Sequence, residues 1–299
     1  MTAQRSDWDL AVVGAGIAGL TAARTAATHG LRTVAFDQLA PGGELINLGV
    51  LRHYPGLPAT TTGPDLAGSL LEAATVAGVE ISYSEVTALN PGPPAELRTA
   101  EGAHTARAVV VATGLTPGRL DLPDAATWVG RGLSQCASCD GPLFAGRRVV
   151  VVGDDEWAAQ EAVELSGVAA HVTVLVPGLP GWSDELGGRL AQAGVEVRPD
   201  TSVAGLSGDA ALTAVHLADG AEVAADGVFV HTGRRPRTRL LAAAGLAAGL
   251  GCTRAGAADD PPHVFVAGDV RRAVPPYAVA AAADGLRAGL AAARLLLCP

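Results

Sequence analysis

Leu10-Ala11-Val12-Val13-Gly14-Ala15-Gly16-Ile17-Ala18-Gly19 decides the fold. Its four apolar residues read as a buried strand, and the glycines after them take the GxGxxG spacing of a dinucleotide-binding turn. An Ala-rich helical run follows to His29, and a second strand ends in Phe36-Asp37. The order strand, glycine turn, helix, strand, acid is what makes the motif credible. Gly14 permits the tight turn, Gly16 lets backbone N–H groups approach a pyrophosphate, and Gly19 allows the helix to pack closely on the strand. The helix N-terminus, with Ile17 and Ala18 in its first turn, faces the anion. Asp37 stands 23 residues after Gly14, placed to accept from the ribose hydroxyls of an adenosine.

A second unit of the same plan begins at Arg147. Val149–Val152 is a strand, helical pattern runs from Trp157 to Leu165, and Val172–Val176 is the next strand. The loop chemistry is different. The turn reads Gly153-Asp154-Asp155-Glu156-Trp157-Ala158, so Asp155 replaces the glycine of close approach and three carboxylates stand where a pyrophosphate would lie. Each like-charge contact at 4 Å costs about 1 kcal/mol in water and about 4 at an effective dielectric of 20. The ribose end differs too: Val176-Pro177-Gly178 offers neither an acid for a 2′-hydroxyl nor an Arg for a 2′-phosphate. The reading is a domain that has lost NAD(P)H. The alternative is a nicotinamide cofactor held by other contacts, such as Arg234-Arg235-Pro236-Arg237, a cluster that otherwise reads as a solvated face.

Strands near Val215 and at Gly227–Val230 finish this inserted domain. His263–Ala267 forms a further strand ending in Gly268-Asp269, which suits contact with the polyol chain of a flavin. Ala112-Thr113-Gly114 closes the strand Val109–Val111 and suits the crossing between domains. The expected architecture is α/β, with two Rossmann-like nucleotide-binding domains of three layers, the second inserted in the first. The expected boundaries are 1–115 and 244–299 for the first domain and 116–243 for the insert.

Cys136-Ala137-Ser138-Cys139-Asp140 lies between the intact loop and the altered one. Two cysteines at this spacing can close a disulfide, and Asp140 can manage its protons. The thiolate is the reactive form, and a helix start or a Cys-x-x-Cys pair lowers a thiol from about 8.5 to about 3.5–7.5. Zinc is not expected, because no second Cys or His pair stands at ligand spacing. Cys252 and Cys298 are isolated and read as packing or terminal residues.

The 299 residues, 49% hydrophobic and 17% charged, suit two well-buried domains. A net charge of -9 argues against nucleic acid, which needs a basic face. No apolar run approaches the roughly 18 residues of a membrane span. Ala278–Leu297 is interrupted by Asp284, Arg287 and Arg294 and reads as an amphipathic helix. The polar start, Met1–Asp9, shows no signal peptide, and a cytoplasmic setting is expected.

In order and spacing the chain resembles the low-molecular-weight thioredoxin reductases. The resemblance rests on Gly14–Gly19, Gly42-Gly43-Glu44-Leu45, Tyr54-Pro55-Gly56, Ala112–Gly114, Gly130-Arg131-Gly132, Cys136–Gly141 and Gly268-Asp269. It implies FAD in a split domain, a homodimer, Cys139 facing the flavin and Cys136 attacking a substrate disulfide. The flavin contacts it implies are Gly14, Gly16, Ile17, Ala18, Gly19, Asp37, Gly43, Glu44, Leu45, His53, Ala112, Thr113, Gly114, Gly268, Asp269, Tyr277 and Ala278. Five departures stand against the family pattern. Glu44 replaces its glutamine and His53 its asparagine. Gly153–Ala158 replaces its nicotinamide loop, Val176-Pro177-Gly178 its His-Arg-Arg, and Pro276-Tyr277-Ala278 its Arg-Gln-Ala. Tyr277 could stack on the flavin or simply pack.

The expected activity is therefore FAD-dependent thiol–disulfide exchange through Cys136 and Cys139, with Asp140 as acid–base partner. The substrate is a thioredoxin-like protein disulfide or a small dithiol or disulfide, and the electrons come from ferredoxin or reduced flavin. Arg234–Arg239 and Arg271-Arg272 could form the basic patch that an acidic iron–sulfur partner needs. Three alternatives stand beside it: a dithiol oxidase using oxygen, an ordinary NADPH thioredoxin reductase, and a flavin-binding protein whose catalysis has decayed.

Overall fold

Val12 and Val13 point to opposite faces of one sheet, and both are buried. The same holds for Val151 and Val152 in another. Strands covered on both faces read as continuous apolar runs, because helices or further chain cover each side of a parallel sheet. Two such sheets organise the computed structural model, which describes residues 6–51, 54–246, 263–271 and 277–297.

The chain opens with β1 (Trp8–Val13), α1 (Ile17–Thr28), β2 (Thr33–Phe36), a 3-10 turn at Gly43–Asn47, and α2 (Gly63–Val76). Thr62 starts α2 with a capping box, exchanging side-chain and backbone hydrogen bonds with Asp65. Then come β3 (Glu80–Ser82), β4 (Ala88–Asn90), β5 (Ala95–Thr99) and β6 (Gly102–Val111). A connecting strand, β7 (Leu115–Pro117), leads to β8 (Leu133–Ser134), α3 (Ala137–Asp140), β9 (Arg148–Gly153) and α4 (Glu156–Ser166). Next are β10 (His171–Leu175), α5 (Asp184–Gln192) and β11 (Glu196–Arg198). The hairpin strands β12 (Val203–Gly208), β13 (Leu212–Leu217) and β14 (Glu222–Ala224) precede β15 (Gly227–His231). β16 (Arg234–Pro236), α6 (Arg239–Ala243), β17 (Val264–Val266) and α7 (Ala278–Leu297) complete the described chain.

Two units result, Met1–Leu115 with Pro236–Pro299, and Thr116–Arg235. The return falls between Arg235 and Pro236, ahead of residue 243, because Leu240 and Leu241 of α6 bury in the core of the first unit. In that unit β3, β2, β1 and β6 are parallel neighbours, and β17 pairs in parallel with the C-terminal end of β6. The N-terminal half of β6 turns instead to the antiparallel β5–β4 hairpin. Core on one face gathers Leu10, Val12, Leu20 and Ala292; core on the other gathers Ala11, Val13, Phe36 and Val111. The second unit repeats this plan, with parallel order β11-β10-β9-β15-β8 and an antiparallel β12-β13-β14 sheet. Val150 and Val152 enter one core and Val149 and Val151 the other. No described helix is long and apolar enough to cross a membrane.

An ion pair ties the starts of β9 and β15 together. Asp226 accepts from the Arg148 N–H at 3.0 Å and from Arg148 Nε at 3.2 Å, and its own N–H donates to the Arg148 carbonyl at 2.8 Å. The Arg148 side-chain hydrogen bond, then the backbone one, hold the Asp226 carboxyl below its ordinary value. Because the folded-state pKa is depressed, its stabilisation is full above the unfolded value and is lost as pH falls through the folded one. Asp226→Asn is expected to cost about 1 kcal/mol or less at neutral pH. The difference from wild type should vanish in acid, as read by urea unfolding across pH 2–7, a range of roughly the carboxylate titration.

Candidate active site

Register places one row of residues across the first sheet: Phe36, Val13, Val111 and Val266 are successive partners. The residues that follow them, Asp37, Gly14, Ala112 and Ala267, therefore line its carboxyl edge, where open α/β sheets bind ligands. Gly14 has φ +98°, a region that L side chains avoid. A Cβ on Gly19 would lie 1.8 Å from the Gly14 carbonyl oxygen. A Cβ on Gly16 would come into ordinary contact with the Gly43 Cα at 3.8 Å. Gly16 caps α1 without a side-chain hydrogen bond, so Ile17 and Ala18 start a helix whose first N–H groups are left for a ligand.

Asp37 anchors this loop. Its carboxylate accepts from the Ala15 N–H at 2.9 Å and from the Leu39 N–H at 3.1 Å. The Gly42 N–H donates to the Ala15 carbonyl at 2.7 Å, which brings the turn of Gly43, Glu44 and Leu45 against the glycine loop. Leu45 is buried with Leu66 and Ala67. Thr113 Oγ1 donates to the Arg237 carbonyl at 2.8 Å, and the Arg237 N–H donates to the Gly114 carbonyl at 3.0 Å. Gly268 is placed by Asp284 of α7, whose buried carboxylate accepts the Gly268 N–H at 3.0 Å and Arg271 Nη1 at 2.8 and 2.9 Å, with Arg287 beside it. Asp269 begins the 3-10 turn beyond. Tyr277, 44% exposed, and Ala278 stand at the start of α7. His53, Arg272, Pro276, Cys252 and Cys298 lie outside the described residues.

The second sheet carries a corresponding row, Leu175, Val152 and Val230, with His231 opposite Gly153 and Ser134 opposite Phe229. Cys136 follows β8 at this edge. It is bonded to Cys139, with a Cα–Cα distance of 5.3 Å, and caps α3 by accepting the Cys139 N–H on Sγ at 3.1 Å. Cys139 is exposed and Cys136 half-buried. Ser134 links the pair to Asp140: its hydroxyl donates to Asp140 Oδ2 at 2.6 Å and accepts the Cys136 N–H at 3.1 Å. The Ala137 N–H donates to the buried Glu161 at 2.5 Å, and His231 Nε2 stands 3.5 Å from the same oxygen.

The altered loop closes on itself. Asp155 caps α4 with its own carboxylate, accepting the Ala158 N–H at 2.9 Å. The Asp154 carbonyl accepts the Gly181 N–H at 2.6 Å. Arg234, instead of standing free in solvent, lies over the Trp157 ring, 3.7 Å from its centroid.

Residues 8–285 match the family model of the pyridine nucleotide-disulphide oxidoreductases. A thioredoxin reductase of Treponema pallidum (strain Nichols) is 32% identical over 302 residues, covering 96% of this chain and 97% of the relative. The chain belongs to the thioredoxin reductase family. The crystal structure of T. acidophilum thioredoxin reductase is 26% identical with a TM-score of 0.90, covering 98% of this chain and 100% of that one. That of Lactococcus lactis thioredoxin reductase in the FR conformation is 25% identical with a TM-score of 0.88, covering 97% and 99%. This family member is a flavoprotein disulfide oxidoreductase. Family membership implies FAD, and the start of α1, which Gly16 caps with no side-chain hydrogen bond, fits its pyrophosphate.

Ser134, Glu161 and His231 escape sequence reasoning, since an ordinary Ser, Glu and His carry no motif. The one available signal is an ionisable Glu161 on the apolar face of α4. Ser134→Ala would leave the Asp140 carboxylate and the Cys136 N–H without their shared hydroxyl. It should slow disulfide turnover about threefold to tenfold, the rate equivalent of about 1 kcal/mol, with flavin content unchanged, as read by steady-state assay and absorbance.

Proposed function

We propose that this chain is an FAD-dependent thiol–disulfide oxidoreductase that works through Cys136 and Cys139 without NAD(P)H. The observation that carries the reading is the Asp155 cap. In the first unit the helix N-terminus behind the glycine turn has no side-chain cap, because Gly16 stands at the capping position. In the second, the corresponding position holds a carboxylate already bonded to the helix N–H. A pyrophosphate there would have to displace Asp155 and lie beside Asp154 and Glu156. Gly181 on Asp154 and Arg234 on Trp157 hold the neighbouring segments in place.

FAD would be held by Gly14, Gly16, Ile17, Ala18 and Gly19 at its pyrophosphate and by Asp37 at its ribose. The remaining contacts would come from Gly43, Glu44, Leu45, Ala112, Thr113, Gly114, Gly268, Asp269, Tyr277 and Ala278. When bound, it supplies the two electrons that open the Cys136–Cys139 disulfide. The Cys136 thiol, giving its proton to Asp140, then attacks a substrate disulfide as the thiolate, making a mixed disulfide and expelling one substrate thiolate, which takes that proton from Asp140. Cys139 attacks Cys136 Sγ, restores the internal disulfide and releases the second substrate thiolate. The names of the relatives support a thioredoxin-like protein disulfide as substrate. The electron source is a reduced ferredoxin or reduced flavin, and the working form is a cytoplasmic homodimer.

Anaerobic titration of the holoenzyme tests the donor. NADPH and NADH at millimolar concentration should leave the flavin absorbance unbleached in stopped flow, whereas reduced ferredoxin should bleach it. Rapid bleaching by NADPH would overturn the proposal. Bleaching by dithiothreitol alone, with peroxide on admission of air, would make the enzyme a dithiol oxidase.

Asp37→Ala releases the Ala15 N–H and removes the ribose acceptor together. It is expected to weaken flavin retention at least tenfold, about 1.4 kcal/mol or more. The ratio of flavin to protein absorbance after gel filtration reads this, and wild-type retention would remove Asp37 from the site.

A further inference from the structure

Beneath the redox helix lies a buried pair that the exchange chemistry does not use. Glu161 is 3% exposed and His231 6%. Glu161 projects from α4, and its Oε2 accepts the N–H of Ala137, the residue next to Cys136. His231 Nε2 comes within 3.5 Å of that oxygen and is a buried nitrogen with no hydrogen-bond partner among the described residues. A buried carboxylate is retained at a cost in desolvation, and an unsatisfied buried ring nitrogen calls for a physical reason. The nearby Asp140 carboxylate is engaged with Ser134. Glu161 is thus a buried carboxylate at the residue next to Cys136, beside the half-buried carboxylate of Asp140.

We propose that Glu161 is a positioning residue that sets the thiol–disulfide equilibrium of Cys136–Cys139, with His231 as the partner that offsets its charge. This rests on the reading that the pair cycles between disulfide and dithiol. A carboxylate next to Cys136 disfavours a second negative charge on its sulfur, so it favours the disulfide over the thiolate-bearing dithiol. His231 opposes that bias.

Dithiothreitol tests the idea without flavin donor or protein partner. In the exchange, the Cys136–Cys139 bond breaks, the two electrons come from dithiothreitol, and dithiothreitol closes its own ring disulfide. Its thiol protons pass to the protein sulfurs, or one is released to solvent where Cys136 stays a thiolate. The holoenzyme is equilibrated anaerobically in defined ratios of reduced and oxidised dithiothreitol, quenched by alkylation and weighed by mass spectrometry. Glu161→Gln keeps an oxygen for the Ala137 N–H but removes the charge, so a merely structural role would leave the equilibrium where it is. We expect the equilibrium to move about tenfold towards the dithiol, or about 30 mV for a two-electron couple. His231→Gln should move it the opposite way, towards the disulfide.

A Glu161→Gln equilibrium within about twofold of wild type, under 10 mV by the same conversion, overturns the proposal. Where Glu161→Gln does not fold, His231→Gln decides: no shift, or a shift towards the dithiol, overturns it. A wild-type pair that no dithiothreitol ratio opens would overturn the underlying reading as well, and so is distinguishable from failure of the inference alone.

Discussion

The first N–H groups of a helix find no partner within it, and whatever meets them decides what the loop ahead of the helix can bind. Behind β1 that partner is left to come from outside, because Gly16 has no side chain to turn onto the helix. Behind β9 it is built in, because Asp155 turns its carboxylate onto Ala158. Two units of one plan therefore offer different chemistry at the same place in the fold. A cofactor phosphate suits one, and the other has satisfied its own helix.

Buried carboxylates do the corresponding work on the far strand of each sheet. A charge removed from water is tolerated where hydrogen bonds and counter-charges surround it. Asp284 meets this condition with the Gly268 N–H, Arg271 and Arg287, and in doing so pins the Gly268-Asp269 turn beyond β17. Glu161 accepts the Ala137 N–H, with His231 Nε2 3.5 Å away, and so pins the start of α3 beyond β8. β17 and β8 occupy equivalent positions: β17 is parallel to β6, the neighbour of β1, and β8 is parallel to β15, the neighbour of β9. In the first unit the pinned segment is a turn that fits a flavin enzyme. In the second it is the disulfide.

Small residues make the tight approach of α1 and α7 possible. A Cβ on Gly285 would lie 2.1 Å from the Ala18 carbonyl oxygen, and one on Gly289 would lie 2.6 Å from that of Ala22. This crossing presses α7 against the helix that carries the glycine turn. It also brings Asp284 to the level of Gly268, so the packing of two Ala-rich helices and the shape of the loop edge are one feature.

Much of this was legible in the residues. Periodicity and glycine spacing carry β1, α1 and β2, because a strand, a tight turn and a helix are dictated by neighbours in sequence. The Cys136–Cys139 spacing carries the disulfide, and Asp154-Asp155-Glu156 carries the altered loop. What Asp155 does there, capping α4, is a matter of backbone direction at the end of β9. The stacking of Arg234 on Trp157 joins segments far apart in the chain, and so does the bond from Asp37 to Ala15. Glu161 and His231 are the plainest case: each is unremarked in sequence, and only the parallel register of β15 with β9 and β8, with α4 packed on them, brings both to the base of the redox helix. Sequence determined which local elements form and which reactive groups they carry, because those follow from short-range sterics and composition. Tertiary structure decided which charges are buried and whom they face, because burial and pairing are set by residues that only folding makes neighbours.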